Sequence, residues 1–183
     1  MKNLIIISAP SGAGKTTICK KILKKNKNIN FSVSCTTRTP RDEEIDGIDY
    51  LFLSQNAFEI KIKNKEFIEW ERIHGNFYYG TLKKSIEDAI KSNTMLLLEL
   101  DVKGANAIMK AYSSNFLSIF IQPPDKQELI KRLKKRGSDS IERIKQRLDR
   151  LESELLYKKD FDYIVNNDNV EIAVKKIISI IKK

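Results

Sequence analysis

The first residues whose types and spacing suggest chemistry follow a short apolar run near the N-terminus. Residues 3–8 (NLIIIS) have the β-branched composition of a buried strand, and Lys15-Thr16 opens a helical pattern of apolar residues. The turn between them contains Gly12 and Gly14, which let consecutive backbone N–H groups approach an anion where a Cβ would obstruct it. Strand, glycine turn and helix form the context of a Walker A phosphate loop, which predicts binding of a nucleoside triphosphate.

Positions within this loop have distinct expected roles. Lys15 can reach the terminal phosphates, and the Thr16 hydroxyl can meet a Mg²⁺ ion that phosphates and water also coordinate. The usual first glycine of the motif is Ala9, which needs a negative φ if the turn is to be unstrained. The alternative is a Gly-Lys turn without a ligand. The predicted contacts of the triphosphate are Ala9, Pro10, Ser11, Gly12, Ala13, Gly14, Lys15, Thr16 and Thr17.

A second group of anion-binding side chains lies in residues 34–41 (SCTTRTPR). It places Arg38 and Arg41 three residues apart, with the hydroxyl side chain of Thr39 between them. The planar fork of arginine matches phosphate oxygens, so the pair suits a dianionic monophosphate. Further along, the Glu69 carboxylate can accept two N–H bonds at once, which matches the N1–H and amino donors of guanine. Taken singly, each of these residues could instead be a solvated loop charge or a surface acid.

Composition limits the class of protein. The chain has 183 residues, of which 32% are charged and 41% hydrophobic, as in an ordinary single globular domain. No apolar run approaches the ~20 residues of a membrane span, and the N-terminal run is too short for a signal peptide. Cys19 and Cys35 lack metal-ligand spacing. We therefore expect a cytoplasmic protein with no membrane partner.

The net charge of +10 admits nucleic-acid binding as a hypothesis. However, the lysines are dispersed along the whole chain and no aromatic residues alternate with them as in a stacking platform. Solvated surface charges explain the composition better, so no nucleic-acid partner is expected.

Apolar runs that alternate with helical patterns predict an α/β fold with a largely parallel sheet. Between residues 35 and 82 the alternation gives way to a turn-rich loop and short segments, which indicates a small mixed insertion that carries a binding site. The predicted strands cover residues 3–8, 31–34, 94–100, 116–121 and 162–165, and the insertion contains short apolar-polar segments at 50–53 and 67–70. The predicted helices lie near 55–63, 82–90, 141–155 and 170–181.

Together these motifs resemble the guanylate kinase family over essentially the whole chain. The specific matches are residues 32–41 (SVSCTTRTPR), residues 67–70 (FIEW) with the later YGT, and the arginine-rich stretch 132–148. The resemblance implies one domain, 1–183, with a P-loop NTPase-type parallel sheet core flanked by helices. The core would comprise 1–34, 83–125 and 150–183, with a GMP-binding insertion at about 35–82 and a helical lid at about 126–149.

The resemblance also implies an activity: transfer of the γ-phosphate of ATP to GMP and dGMP, giving ADP and GDP in purine nucleotide metabolism, with Mg²⁺. Ser34 and Glu69 would read the guanine, assisted by Thr81. The full set of implied GMP contacts is Ser34, Arg38, Arg41, Tyr50, Glu69, Tyr79, Thr81, Glu99 and Asp101. The family usually has one aromatic residue fewer before Gly80, which leaves Tyr78 as the alternative to Tyr79.

Other implied roles concern ATP. Arg136 and Arg147 would close over the triphosphate as catalytic residues together with Lys15 and Arg38, and Arg132 would support them. Asn166 would contact the adenine. Residues 99–104 (ELDVKG) depart from the family pattern Asp-x-Asp-x-Gln-Gly at Glu99 and Lys103.

Two rival functions remain at this stage. Some domains that resemble this fold are protein-interaction scaffolds, but they typically lack a working phosphate loop, which is intact here. A related kinase for ribose bisphosphates would not need the guanine reader. A phosphate monoester is mostly dianionic at neutral pH, so a GMP kinase requires no general base. The sequence leaves open whether the chain is a monomer or a homo-oligomer.

Overall fold

The computed structural model describes residues 2–73, 76–112, 114–124, 126–135 and 141–183. A short 3₁₀ helix (Tyr157–Asp160) precedes the last strand. In chain order the strands and helices are β1 (Leu4–Ser8), α1 (Lys15–Lys25), β2 (Ile29–Phe31), β3 (Cys35–Thr36), β4 (Leu51–Phe52), α2 (Gln55–Lys63), β5 (Phe67–Ile73), β6 (Phe77–Leu82), α3 (Lys83–Lys91), β7 (Met95–Leu100), α4 (Val102–Ala111), β8 (Phe116–Gln122), α5 (Lys126–Lys135), α6 (Ile141–Leu156), β9 (Tyr163–Asn166) and α7 (Val170–Ile181).

The core of the molecule is a five-stranded parallel sheet in the order β2-β7-β1-β8-β9. The central strand β1 is buried along its whole length, which explains its continuous apolar sequence. Ile5 and Ile7 pack towards α1 and α7, whereas Leu4 and Ile6 pack towards α3 and α4. Helices therefore cover both faces, and the predicted α/β class is confirmed.

The segment between β2 and α3 forms a second, four-stranded sheet in the order β4-β3-β6-β5. β5 and β6 make an antiparallel hairpin with an irregularity between Phe67 and Glu69. Helix α2 covers this sheet through Phe58, whose ring stacks on Phe67 at a centroid distance of 4.3 Å. This small apolar core, which also buries Cys35, fixes the strands that carry the predicted GMP contacts.

Three elements differ from the sequence prediction. The strand expected at 31–34 is divided, because β2 ends at Phe31 in the large sheet and β3 begins at Cys35 in the small one. Helix α4 and strand β6 were not predicted, since glycines at positions 104 and 80 interrupt their apolar patterns. The predicted helices at 55–63 and 170–181 are confirmed. Within the described ranges no helix has the length and apolarity to cross a membrane.

Candidate functional site

The loop after β1 has the backbone conformation of an anion cradle. Gly12 and Gly14 have φ of 86° and 91°, a region that side chains with a Cβ disfavour. The Ala13 N–H donates to the Pro10 carbonyl at 3.1 Å, which closes the turn. Gly14 precedes α1 without a capping side chain, and the first turn of this helix carries no acidic residue. The N–H groups at the start of α1 therefore lack a side-chain cap and can serve an anion.

Ala9 causes no strain in this loop. Among the described residues, positive φ at non-glycine positions occurs at Lys65, Asn76 and Asn93. Ala9 therefore has a negative φ, and it is almost fully buried beside the start of the turn. The replacement of the usual first glycine is compatible with an unstrained phosphate loop.

Parallel pairing of β1 with β7 brings an acid to this loop. The register pairs Ser8 with Leu100, so the carboxyl ends of the two strands are adjacent, where α/β proteins bind ligands. The Thr16 hydroxyl donates to Glu99 Oε1 at 2.5 Å, and Lys15 Nζ lies 3.9 Å from the same oxygen. These oxygens are ligands of the type that Mg²⁺ prefers.

Two further residues support the loop and were not predicted from sequence. Asn167 Nδ2 donates to the Ala13 carbonyl at 2.7 Å, and a Cβ on Gly14 would come within 2.6 Å of the same amide nitrogen. Glu154 Oε2 accepts the Ser11 N–H at 3.2 Å, while burial raises the pKa of Glu154. Both contacts join residues more than 140 positions apart, so no local pattern could have indicated them.

The Arg38 side chain is held by contacts on all three of its nitrogens. Nε donates to the Tyr79 hydroxyl at 3.1 Å, Nη1 to the Thr39 carbonyl at 2.6 Å and Nη2 to Glu44 Oε1 at 2.9 Å. Its side chain is only 12% exposed. The guanidinium carbon also lies 5.5 Å from the centre of the Tyr50 ring. The fork is therefore fixed before any ligand arrives.

Glu44 connects the two predicted phosphate-binding arginines. Its Oε2 accepts the backbone N–H of Arg41 at 2.9 Å, while its Oε1 lies 3.8 Å from Arg41 Nη1. The Arg41 side chain is 59% exposed, so it is held less firmly than Arg38. Sequence analysis did not single out Glu44, although its spacing of three residues from Arg41 was a usable signal.

The positions of the two candidate tyrosines differ clearly. Tyr79 presents its hydroxyl to Arg38 and its ring to the edge of Tyr50, with centroids 6.0 Å apart. Tyr78 instead stacks on Phe58 in the small apolar core. This geometry supports Tyr79, and not Tyr78, as a phosphate contact.

The predicted guanine-reading residues lie in one row across the small sheet. Glu69 pairs with Thr81 between β5 and β6, and Ser34 stands one position beyond the Cys35–Gly80 pair of β3 and β6. The buried Thr81 hydroxyl donates to Glu69 Oε1 at 2.6 Å. The pKa of Glu69 is raised to about 7, mainly by burial and also by nearby acids, while the hydrogen bond from Thr81 opposes the rise.

Glu99 and Asp101 have different surroundings although they are two residues apart. β7 ends at Leu100, and Asp101 after it caps α4, where its Oδ1 accepts the Gly104 N–H at 2.7 Å. A Cβ on Gly104 would lie 2.9 Å from Glu69 Oε2. Glu99 thus lies at the phosphate loop, and Asp101 lies near the guanine-reading row.

Direct contacts place the phosphate loop (residues 9–17), the first anion cradle, beside the cluster around Arg38, the second anion cradle. Lys20, on the helix that begins at the phosphate loop, pairs with Asp49 at 2.6 Å. Asp49 immediately precedes Tyr50, whose ring lies against Arg38. Burial, followed by the charge of Glu99, raises the pKa of Tyr50. Glu99 therefore lies close both to the phosphate loop and to the Arg38 cluster.

Several predicted residues are described in part or not at all. Asn166 ends β9 and is exposed beside its neighbour Gln122. Positions 132 and 147 lie on α5 and α6, but the side chains of Arg132 and Arg147 are outside the described part of the chain. Arg136 and the single histidine, His74, are outside the described residues altogether.

Comparison with known proteins identifies relatives over the full length. The family model described as guanylate kinase matches residues 1–183. A guanylate kinase from Porphyromonas gingivalis is 45% identical over 178 residues, which cover 97% of this chain and 95% of that protein. A guanylate kinase from Thermotoga maritima is 42% identical, covering 98% of this chain and 86% of the relative.

Solved structures agree with the sequence relatives. The crystal structure of guanylate kinase from Anaplasma phagocytophilum has a TM-score of 0.78 and 29% identity, covering 98% of this chain and 84% of that one. A shikimate kinase from Bacteroides thetaiotaomicron has a TM-score of 0.52 at 13% identity, a likeness of fold alone, with 98% of each chain covered.

Proposed function

The chain belongs to the guanylate kinase family and acts as an ATP:GMP phosphotransferase, and we propose that its two cradles hold these nucleotides with their phosphates facing each other. The phosphate loop, residues 9–17, receives ATP, with Asn166 at the adenine. The Arg38 cluster receives the phosphate of GMP or dGMP. The Lys20–Asp49 contact carries this proposal, because it shows that the helix of the phosphate loop lies directly beside the loop that leads to Tyr50 and Arg38.

The proposed chemistry is an in-line transfer. A phosphate oxygen of GMP attacks the γ-phosphorus of ATP, the new P–O bond of GDP forms, and the bond to the β-phosphate breaks to leave ADP. The attacking phosphate is largely dianionic because its second pKa is about 6, so no base has to remove a proton. The protein must instead position the groups and neutralise their charge. In this proposal Lys15 neutralises the phosphates of ATP, and Arg38 neutralises the phosphate of GMP.

Mg²⁺ is the proposed metal. In the described part of the chain no cluster of three or more acidic, histidine or cysteine side chains is arranged to hold a metal ion. Thr16 would hold the metal together with phosphate and water oxygens, and Glu99, which accepts the Thr16 hydroxyl, would orient that water. When bound, Mg²⁺ supplies positive charge to the β- and γ-phosphates.

Guanine recognition is assigned to Glu69, Ser34 and Thr81, with Asp101 beside them. An ionised Glu69 can accept both the N1–H and the amino group of guanine, whereas adenine offers no such pair of donors. The Thr81 hydroxyl, which donates to Oε1, fixes the orientation of the carboxylate. Ionisation of Glu69 is therefore a condition for the proposed recognition.

The remaining assignments rest on the family resemblance and the sequence. Arg132, Arg136 and Arg147 are proposed to complete the neutralisation of the triphosphate from the lid segment, about 126–149. The division into core, insertion and lid stays a prediction. We propose no nucleic-acid partner and a cytoplasmic location. The buried free thiols of Cys19 and Cys35 are in keeping with a reducing compartment.

An acceptor panel tests the function. Phosphorylation of GMP, dGMP, AMP, UMP, CMP and ribose bisphosphates is measured at pH 8 with the wild-type chain and Glu69→Gln. We expect turnover of GMP, and a loss of about 30-fold in kcat/KM for GMP in the variant, because a charged hydrogen bond contributes about 2 kcal/mol.

Glu59→Gln, the same change on helix α2, is the matched control and leaves GMP turnover intact. Turnover of a ribose bisphosphate without GMP would favour the rival kinase, and no turnover of any acceptor would favour the scaffold. Unchanged base selectivity in Glu69→Gln would show that Glu69 does not recognise guanine.

A further inference from the structure

Three carboxyl groups converge where strand β5 meets the start of α4: Glu69, Glu71 and Asp101. We propose that Lys103 is a positioning residue for guanine recognition, which by pairing with Glu71 keeps the neighbouring Glu69 ionised. The inference rests on the proposed role of Glu69 and extends it to a residue that does not touch the nucleotide. Lys103 is also a departure of this chain from the family pattern, which has glutamine there.

The Lys103–Glu71 pair joins the two sheets. Lys103 Nζ lies 2.7 Å from Glu71 Oε1, across 32 positions of sequence, and connects α4 of the core with β5 of the insertion. The lysine side chain is 66% exposed and the glutamate 29%. An ion pair this exposed contributes little to folding stability, so an effect of Lys103 should appear in function and not in folding.

Glu71 is coupled to the reader through Asp101. The Glu71 carboxyl is in hydrogen-bonding contact with Asp101, and this contact, after burial, raises the pKa of Glu71. The position of a Cβ on Gly104 would be 2.9 Å from Glu69 Oε2 and 3.3 Å from Asp101 Oδ1. The Glu69 and Asp101 carboxyls therefore flank the same point, and charge on any member of the cluster affects the others.

The charges around this cluster are mostly negative. Among the described side chains, the Lys103–Glu71 contact is the only ion pair that the three carboxyls make. Glu154 on α6 adds a further negative group within electrostatic range of Asp101, and Tyr157 lies near Lys103. Thr81 on β6 contributes a neutral hydroxyl.

The direction in which loss of the Lys103 charge changes guanine recognition follows from the pKa of Glu69. This pKa is raised to about 7, mainly by burial and in smaller part by the charges of Asp101 and Glu71. Loss of the Lys103 charge leaves Glu71 uncompensated, so the pKa of Glu69 moves higher still. A protonated Glu69 cannot accept both guanine donors, so recognition weakens on the acidic side and is unaffected well above the pKa.

The test is the pH dependence of kcat/KM for GMP in Lys103→Met between pH 5.5 and 9. We expect the midpoint of the acidic limb of this pH profile to move to higher pH by about half a unit. At pH 6 this is a loss of about threefold relative to wild type at the same pH, with no difference at pH 9. Comparison at equal pH cancels the titration of the GMP phosphate itself, and KM for ATP should be unchanged.

Matched variants separate charge from structure. Lys110→Met removes the same charge from the other end of α4, about 10 Å along the helix, and should leave the limb in place. Lys103→Arg keeps the charge and should behave as wild type. Adding Glu71→Gln to Lys103→Met removes the uncompensated carboxylate and should return the limb to its original position.

An unmoved acidic limb in Lys103→Met would overturn the inference, as would a double variant that fails to restore it. Glu69→Gln measured in parallel distinguishes the two levels of the account. If that variant loses GMP selectivity while Lys103→Met has no pH effect, the assignment of Glu69 to guanine recognition is supported and the role proposed for Lys103 is wrong. If Glu69→Gln retains selectivity, the reader assignment falls and the role of Lys103 falls with it.

Discussion

Arg38 shows how a single side chain is prepared for its ligand. Three of its N–H donors are already used by Tyr79, Thr39 and Glu44, which leaves one free donor on each terminal nitrogen. The two free N–H groups can meet a phosphate in a fixed geometry, at a smaller entropic cost than a mobile arginine would incur. Sequence indicated the cation but not the acid that orients it.

Glu44→Gln should therefore weaken GMP binding. The amide offers a donor where the carboxylate accepted, so either Arg38 Nη2 or the Arg41 N–H loses its partner. We expect KM for GMP to rise about tenfold, equivalent to about 1.4 kcal/mol for one charge-assisted hydrogen bond, with KM for ATP unchanged. Steady-state kinetics with Glu43→Gln, a neighbouring exposed acid, provide the control. A lower KM in Glu44→Gln would show that Glu44 serves only to neutralise the site.

At the scale of secondary-structure elements, a strong pattern of apolar residues was sufficient to predict a strand or a helix from the sequence. β1 reads as a continuous apolar run because both of its faces are covered, and α7 carries apolar residues at helical spacing up to Ile181. The phosphate loop at residues 9–17 could be predicted because it follows such a strand directly, whereas the Arg38 loop was indicated by its residue types, since β3 before it has only two residues. Their local sequences contain the glycines and arginines that the chemistry requires.

Other elements could not be predicted because long-range packing decides them. Helix α4 begins at Val102, and Lys103 and Gly104 in its first turn resemble a loop sequence until Asp101 is known to cap the helix. The contacts of Glu154 and Asn167 with the phosphate loop depend on how α6 and β9 dock on the sheet. Local patterns contain no information about such docking.

Gly104 provides a test of the contact between α4 and β5. An alanine at a helical glycine normally adds about 0.5 to 1 kcal/mol of stability. Here its Cβ would meet Glu69 Oε2 at 2.9 Å, so the reader must shift. For Gly104→Ala we expect KM for GMP to rise about tenfold, as for the loss of one hydrogen bond to a charged group, while KM for ATP stays constant. Lys110→Ala is the control, and a more stable Gly104→Ala with unchanged GMP kinetics would contradict the proposed contact.

At the scale of the whole molecule, the function depends on how two sheets are joined. The large parallel sheet supplies the phosphate loop, and the small sheet supplies the arginines and the guanine-reading row. The ion pairs Lys20–Asp49 and Lys103–Glu71 connect helices of the large sheet with the segment that carries the small sheet. The sequence indicated both cradles, but only the fold brings Glu99 close to each of them.

Binding of a bisubstrate ligand is the most direct test of this arrangement. The ligand is adenosine joined to guanosine through five phosphates, and its affinity and stoichiometry are measured by titration calorimetry with Mg²⁺. The account predicts one ligand per chain, bound at least about 100-fold more tightly than ATP or GMP alone and displacing both, because one molecule fills two adjacent cradles. Affinity no higher than that of ATP, with GMP still able to bind, would contradict it.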